Sequence, residues 1–229
     1  MLVDPGEEPV IQLFHIHKRY GSQTALEDIN LSILKNDFVF VTGPSGAGKT
    51  TLLRVIFLDE APSEGQILVN GINLQRIHRA KIPLLRRSMG FVFQDFRLID
   101  TYTVYENIAL VLEAAGREKP YIDKKVRQVL RMVGLEDRMH SLPPRLSGGE
   151  QQRVAIARAA VGNPFILLAD EITGNLDHAA ADMVFHLLGQ LHRLGTTVIV
   201  ATHDARLFDK VPGRIVSLNR GRVEGEANV

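Results

Sequence analysis

The chain has 229 residues, 45% of them apolar, a net charge of +1 and no cysteine. The balanced charge argues against a surface that wraps nucleic acid. The missing thiols exclude disulfides and thiolate metal sites and suit a reducing compartment. No apolar run approaches the ~18 residues of a membrane span, and the N-terminal "MLVDPGEEPV" lacks the basic-then-apolar order of a signal peptide. A soluble, cytoplasmic protein is therefore expected, reaching any membrane through another protein.

Two stretches with period-2 alternation come first. "VIQLFHIHKRY" and "TALEDINLSIL" predict antiparallel strands around a Gly21–Ser22 turn. "DFVFVTG" predicts a short buried strand running into a glycine loop and then into the helix "KTTLLRVIF". Strands follow at "GQILVNG" and "MGFVFQ". Between them, the basic run Arg76–Arg87 is expected to be a solvated face. From Asp95 to about Pro144 the pattern turns helical, with 3.6-residue periodicity in "TVYENIALVLEAAG" and "YIDKKVRQVLRMVG" and C-terminal glycines at Gly116 and Gly134. Ser147 with Glu150 three residues on forms a capping-box pattern that starts another helix, and Gly148 and Gly149 leave its first N–H groups open to an anion. Alternation then resumes: strand "PFILLAD", helix "HAAADMVFHLLGQLHRLG", strand "TTVIVATHD" and the hairpin "GRIVSLNRGRV". Such alternation predicts an α/β fold whose parallel sheet is covered on both faces.

Four features carry chemistry. "GPSGAGKT", Gly43–Thr50, satisfies G-x-x-x-x-G-K-[ST] with the required strand before it and helix after it. Backbone N–H groups of residues 46 to 51 would wrap phosphate, Lys49 would reach the β and γ oxygens, and the Thr50 hydroxyl would ligate Mg²⁺. "FILLADE" ends a buried strand in two acids, so Asp170 is expected to hold Mg²⁺ through water and Glu171 to take a proton from the attacking water. Gln94 and His203 end two further strands at the same sheet edge, where an amide positions water or metal and an imidazole donates to phosphate. Tyr20 offers an aromatic face to a base. His15 and His17 alternate along one strand without metal-ligand spacing, so no transition metal is expected.

The P-loop, the strand-end glutamine, "LSGGEQQR", "LLADE", "GNLD" and the histidine-tipped strand occur in the motif order of ATP-binding cassette (ABC) ATPases, which the chain resembles over nearly its whole length. The resemblance implies a P-loop ABC ATPase core at 1–94 and 146–229 with an N-terminal antiparallel β subdomain, and an inserted all-helical subdomain at 95–145. It also implies Mg-dependent ATP hydrolysis. Carried over position by position, Tyr20 would meet adenine. Gly43, Pro44, Ser45, Gly46, Ala47, Gly48, Lys49, Thr50 and Thr51 would hold phosphate. Thr50, Gln94 and Asp170 would serve the metal, with Gln94 also sensing the γ-phosphate. Glu171 would be the general base and His203 the switch histidine. Ser147, Gly148, Gly149 and Gln151 would form a signature, and Asp177 a loop facing a second subunit.

In the fold the resemblance implies, the signature lies too far from its own P-loop, so the implied assembly is a head-to-tail homodimer with ATP between the chains. "RRSMGFVFQDFRLI", "TVYENIAL" and "ADEITGNLD" are most similar to the cell-division branch of the family, although branches serving lipoprotein release and macrolide export share "GNLD". That branch implies an integral membrane partner at the cytoplasmic face of the inner membrane and activation of cell-wall hydrolases; the surface around Gln94 to Leu112, where γ-phosphate sensing and the helical insert meet, is expected to contact that partner. One departure is Ile172, where the family has proline; losing that fixed φ is expected to loosen the turn that aims Glu171.

Overall fold

A computed structural model describes residues 9–174 and 176–229. The N-terminal stretch 1–8 and Asn175, within the "GNLD" motif, lie outside the described residues. Two sheets organise the fold. The first is four-stranded and antiparallel, in the order β2 (Gln23–Leu34), β1 (Pro9–Tyr20), β4 (Glu64–Val69), β5 (Ile72–Asn73). The second is six-stranded, in the order β10 (Arg222–Asn228), β9 (Arg214–Asn219), β3 (Phe38–Thr42), β8 (Thr197–Ala201), β7 (Ile166–Asp170), β6 (Met89–Val92). Its five strands from β9 to β6 run parallel, and β10 adds an antiparallel edge.

The central parallel strands are buried on both faces, which is why they are continuous apolar runs. Alternate residues go to different cores. Val39, Val41, Ile166, Leu168 and Ile199 pack towards the antiparallel sheet and the helix α1 (Lys49–Ile56). Phe38, Phe40, Leu167, Ala169, Val198 and Val200 pack on the other side, against α3 (Val104–Ala114), α4 (Lys119–Met132), α5 (Gly148–Ala160) and α6 (His178–Arg193). Residues 95–145 thus hold α3, α4 and two 3₁₀ turns, with no strand among the described residues.

Helix boundaries follow their caps. Thr103 and Glu106 form a capping box on α3, and Ser147 and Glu150 form the one expected on α5. Past α4 the chain turns back through Gly134 at φ +65°, and the Leu135 N–H returns to the Leu130 carbonyl at 2.9 Å.

Three local features differ from the sequence expectation. The basic run is more than a solvated face: it contains a 3₁₀ turn and the helix α2 (Ile82–Arg87), with Leu85 buried. Arg86 donates to the carbonyls of Phe57 and Leu58, so one of its charges braces the end of α1. The second difference is a β-bulge in β1. His15 adopts φ +48°, opposite Asp28 at φ +52°, and the register slips between Leu13 and Ile16. The slip exposes Phe14 and returns Ile16 to the core, which simple alternation does not foresee. Third, Gln94 and His203 lie two residues past the ends of β6 and β8, in the loops rather than on the ladders. Among the described residues no helix is long and apolar enough to cross a membrane.

Candidate functional site

The site forms where β3 hands over to α1. The loop needs glycine at two places for different reasons. Gly43 has φ +140°, and a Cβ there would lie 2.1 Å from the Leu218 carbonyl oxygen on neighbouring β9. Gly48, the residue before α1, has φ +104° and would bring a Cβ within 2.6 Å of the Ala25 carbonyl oxygen. Between them Pro44, Ser45, Gly46 and Ala47 make a tight turn closed by Ala47 N–H to the Pro44 carbonyl at 3.1 Å. The first N–H groups of α1 have no helical acceptor and are available to an anion.

A cleft of about 400 Å³ opens over this loop. Ser45 to Thr51 form its floor, and Gln94 and Glu171 close one side. Tyr20, the last residue of β1, stands 42% exposed at the other side, with the Lys18 ammonium 4.8 Å from its ring centre. Its exposure leaves a ring face available for stacking rather than for core packing. Gln23, Thr24 and Ala25 complete that side. Sequence reasoning did not single them out, because no residue type at the start of β2 marks a ligand wall; the sheet pairing brings them there.

Lys49 is buried and already satisfied. Its Nζ donates to the carbonyls of Gly43 and Pro44 at 2.9 and 3.1 Å and sits 3.2 Å from Glu171 Oε1. Glu171 follows β7 directly, in the left-handed region at φ +46°, with its N–H bonded to the Ala201 carbonyl at 2.9 Å. The next side chain, Ile172, is buried in the core. The turn that carries Glu171 is anchored by that buried side chain and by the N–H bond. His203 places Nδ1 3.8 Å from Glu171 Oε2, with most of its ring exposed.

Asp170, the last residue of β7, is 5% exposed, and its Oδ1 accepts the Thr50 hydroxyl at 2.9 Å. Burial raises its carboxyl above the usual aspartate range, and the Thr50 hydrogen bond only partly opposes this. A buried carboxylate and a hydroxyl, with an amide oxygen at Gln94 lining the same cleft, form a hard oxygen donor set that suits a small divalent cation. Among the described residues no cluster of three or more His, Cys, Asp or Glu is arranged to hold a metal. Such a cation would have to complete its shell with substrate oxygens and water.

The signature residues lie apart from this cleft; Ser147, Gly148, Gly149, Gln151 and Asp177 line no part of it. Ser147 Oγ accepts the Glu150 N–H at 3.2 Å, and Gly148 is exposed with open space around it. Gly149 has a different reason to be glycine than the expected open anion site: a Cβ there would meet the Ala180 Cβ of α6 at 2.8 Å. Gln151 turns inward and donates Nε2 to the Leu146 carbonyl at 3.1 Å. Asp177 caps α6 by accepting the Ala180 N–H at 2.8 Å. The capped start of α5 is thus a feature separate from the cleft over the P-loop.

Comparison with known proteins gives a consistent result. The family model described as "ABC transporter" matches residues 26–174. The chain is 46% identical over 216 residues to the cell division ATP-binding protein FtsE of Mycobacterium tuberculosis, covering 93% of this chain and 94% of that protein. It is 42% identical over 217 residues to FtsE of Escherichia coli K12, covering 94% and 98%. Among solved structures, the dimeric bacterial ABC transporter cassette MJ0796 superposes with a TM-score of 0.88 at 38% identity, over 95% of this chain and 98% of that one. The same cassette in a post-hydrolysis state with ADP and phosphate gives 0.87 at 37% identity. With a phosphate loop built as its sequence requires, two acids at the end of β7 and relatives matched over nearly the full length, the chain belongs to the ABC transporter family and is an ATPase.

Proposed function

We propose that this ATPase is the nucleotide-driven subunit of a cell-division membrane complex, working as an ATP-bridged homodimer bound to an FtsX-type integral membrane subunit. The site residues support one cycle. The Ser45–Thr51 backbone cradles the phosphates while Tyr20 stacks on the base. Lys49 leaves Glu171 for the β and γ oxygens, and Glu171 is thereby freed to accept a proton from a water lined up on the γ-phosphorus. The P–O bond to ADP breaks as the water oxygen bonds to phosphorus, and His203 donates to the departing phosphoryl oxygen. Thr50, Asp170 and Gln94 are the residues that would hold Mg²⁺, whose chemistry is to neutralise charge on the β and γ oxygens.

The observation that carries the dimer is the separation of the signature from the cleft. The helix end at Ser147 and Gly148 presents free N–H groups that its own P-loop does not use, so a second copy supplies the ATP they face. Closure then requires γ-phosphate, and hydrolysis releases it.

The membrane assignment rests on the FtsE likeness over the full chain together with a groove of about 420 Å³ beside the Gln94 loop. Phe91, Phe93, Leu110 and Val111 give it an apolar lining, and Arg86, Arg87 and Arg97 contribute positive charge. A cytoplasmic segment of the membrane subunit seated there would hold the ATPase at the inner face of the membrane and carry dimer closure across it, to activate cell-wall hydrolases. Phe96 and Leu98, within the surface expected from sequence to meet the partner, are half-buried against the core and serve packing.

Mixing tests the dimer. Lys49→Ala and Ser147→Arg homodimers should both be inactive. Mixed at random, half the dimers are heterodimers with one intact site of two, so roughly a quarter of parental activity returns if sites act independently. No recovery, together with no ATP-dependent cross-link between cysteines introduced at Ser45 and Gly148 of different chains, refutes it. Affinity capture from detergent-solubilised membranes tests the rest. An FtsX-type subunit is expected, and a lipoprotein-release or macrolide-export permease instead would reassign the complex.

A further inference from the structure

The loop that leaves the Gln94 end of the cleft is strained. Phe96 and Arg97 are consecutive non-glycine residues in the left-handed region, at φ +54° and +50°. Nothing in these residue types favours that conformation, so the surroundings must impose it. Two groups do so. Asn107, fully buried in α3, accepts the Ile99 N–H at 2.8 Å and donates to the carbonyls of Ile99, Tyr102 and Thr103. Arg158, near the end of α5, donates through its two terminal nitrogens to the carbonyls of Phe96 at 2.7 Å and Arg97 at 2.6 Å. Both strained carbonyls are turned onto one guanidinium. Arg158 forms no ion pair among the described residues, and desolvation lowers its pKa, so its charge is directed at those carbonyl dipoles.

The position of Arg158 gives this clamp its consequence. Ser147 caps the other end of the same helix, 11 residues earlier or about 16 Å along the axis. We infer that Arg158 is a positioning residue that ties the loop carrying Gln94 to the signature helix, so that engagement of the partner's ATP at Ser147 resets Gln94 in the chain's own cleft. A helix bonded at both ends moves as a rod, and the two nucleotide sites of the dimer become mechanically linked. Lysine cannot replace the planar fork, because it spans only one of the two carbonyls. The inference rests on the trans-site dimer proposed above.

The test uses the full chain in a Glu171→Gln background, with an environment-sensitive fluorophore on Asp100→Cys, an exposed loop position in a protein without native cysteines. With MgATP the parent should dimerise on size exclusion and change fluorescence over the same ATP range. Arg158→Ala should still dimerise at an ATP concentration within about twofold, yet lose the fluorescence response. With Glu171 restored, its kcat should fall about tenfold, the effect of about 1.4 kcal/mol in the barrier, while KM for ATP changes less than twofold. Arg158→Lys should be intermediate on both readouts, and it serves alone if the alanine variant fails to fold. A dimer whose probe responds fully in either variant, or an unchanged kcat, overturns the inference. Failure of the parent itself to dimerise refutes the trans-site reading instead, and is seen before Arg158 is touched.

Discussion

Replacing Glu171 by glutamine separates its contact with Lys49 from the proton-accepting role proposed for it. Glu171 Oε1 lies 3.2 Å from the buried Lys49 ammonium. At an effective dielectric of ~20 that separation corresponds to about 5 kcal/mol of attraction. Desolvation cancels most of it, leaving roughly 1–2 kcal/mol for a charge-assisted contact of this kind. Glutamine keeps an oxygen facing Lys49, and the Gly43 and Pro44 carbonyls remain at 2.9 and 3.1 Å. The variant should therefore lose about 1 kcal/mol without nucleotide, a fall of roughly 2–4 °C in Tm for a domain of this size. With MgATP the γ-phosphate replaces the lost anion beside Lys49, and the deficit should vanish. Hydrolysis should drop by about 10²–10⁴, the contribution of a positioned base. Differential scanning fluorimetry with and without MgATP, phosphate release and size exclusion read the three effects. Turnover within tenfold of the parent would remove Glu171 as the base, and a Tm deficit that persists with MgATP would refute the exchange of partners at Lys49.

Glu150 gives a pH signature. The Ser147 backbone N–H holds its carboxyl below the 4.5 of a free glutamate, so its stabilising contribution is present above that pH and is lost as pH falls through the lowered value. Glu150→Gln keeps the capping box but has no proton to gain, so its Tm should fall less steeply than the parent's below pH 4.5; parallel curves would count against the cap as an acid-sensitive element. At the groove, Leu110→Asp places a charge on a 38% exposed side chain, and should abolish capture of the membrane subunit while ATP binding and Tm stay near parental; undiminished capture would move the docking surface elsewhere. Gly43→Ala should abolish ATP binding and cost several kcal/mol, because its Cβ has 2.1 Å to a carbonyl oxygen where about 3.4 Å is needed; a stable, ATP-binding variant would refute the loop geometry.

Much of this protein was legible before folding because its signals are local. A P-loop states its own geometry: the strand, the obligatory glycines, the lysine and the hydroxyl are contiguous. Burial on both faces makes β3, β7 and β8 apolar runs, and the Ser147–Glu150 cap needs four residues. Position 149 shows where local reading stops, since its glycine is required by a neighbour, Ala180, that is distant in sequence. Ile172 shows the same limit, because only the fold reveals that its side chain, next to Glu171, is buried in the core.

The sequence by itself determined the α/β order, the phosphate loop, the two acids at the end of β7 and the family likeness, since each is encoded in residue types at fixed short spacing. Only the tertiary structure decided that Gln23 to Ala25 wall the cleft, that Asp170 pairs with Thr50 across 120 residues, that the signature stays out of its own site, and that Arg158 grips the strained loop at Phe96 and Arg97. Those facts depend on strand order and helix packing. Such contacts form between segments whose separation along the chain leaves no periodic trace, and their energies are defined only once the two cores have closed around the sheet.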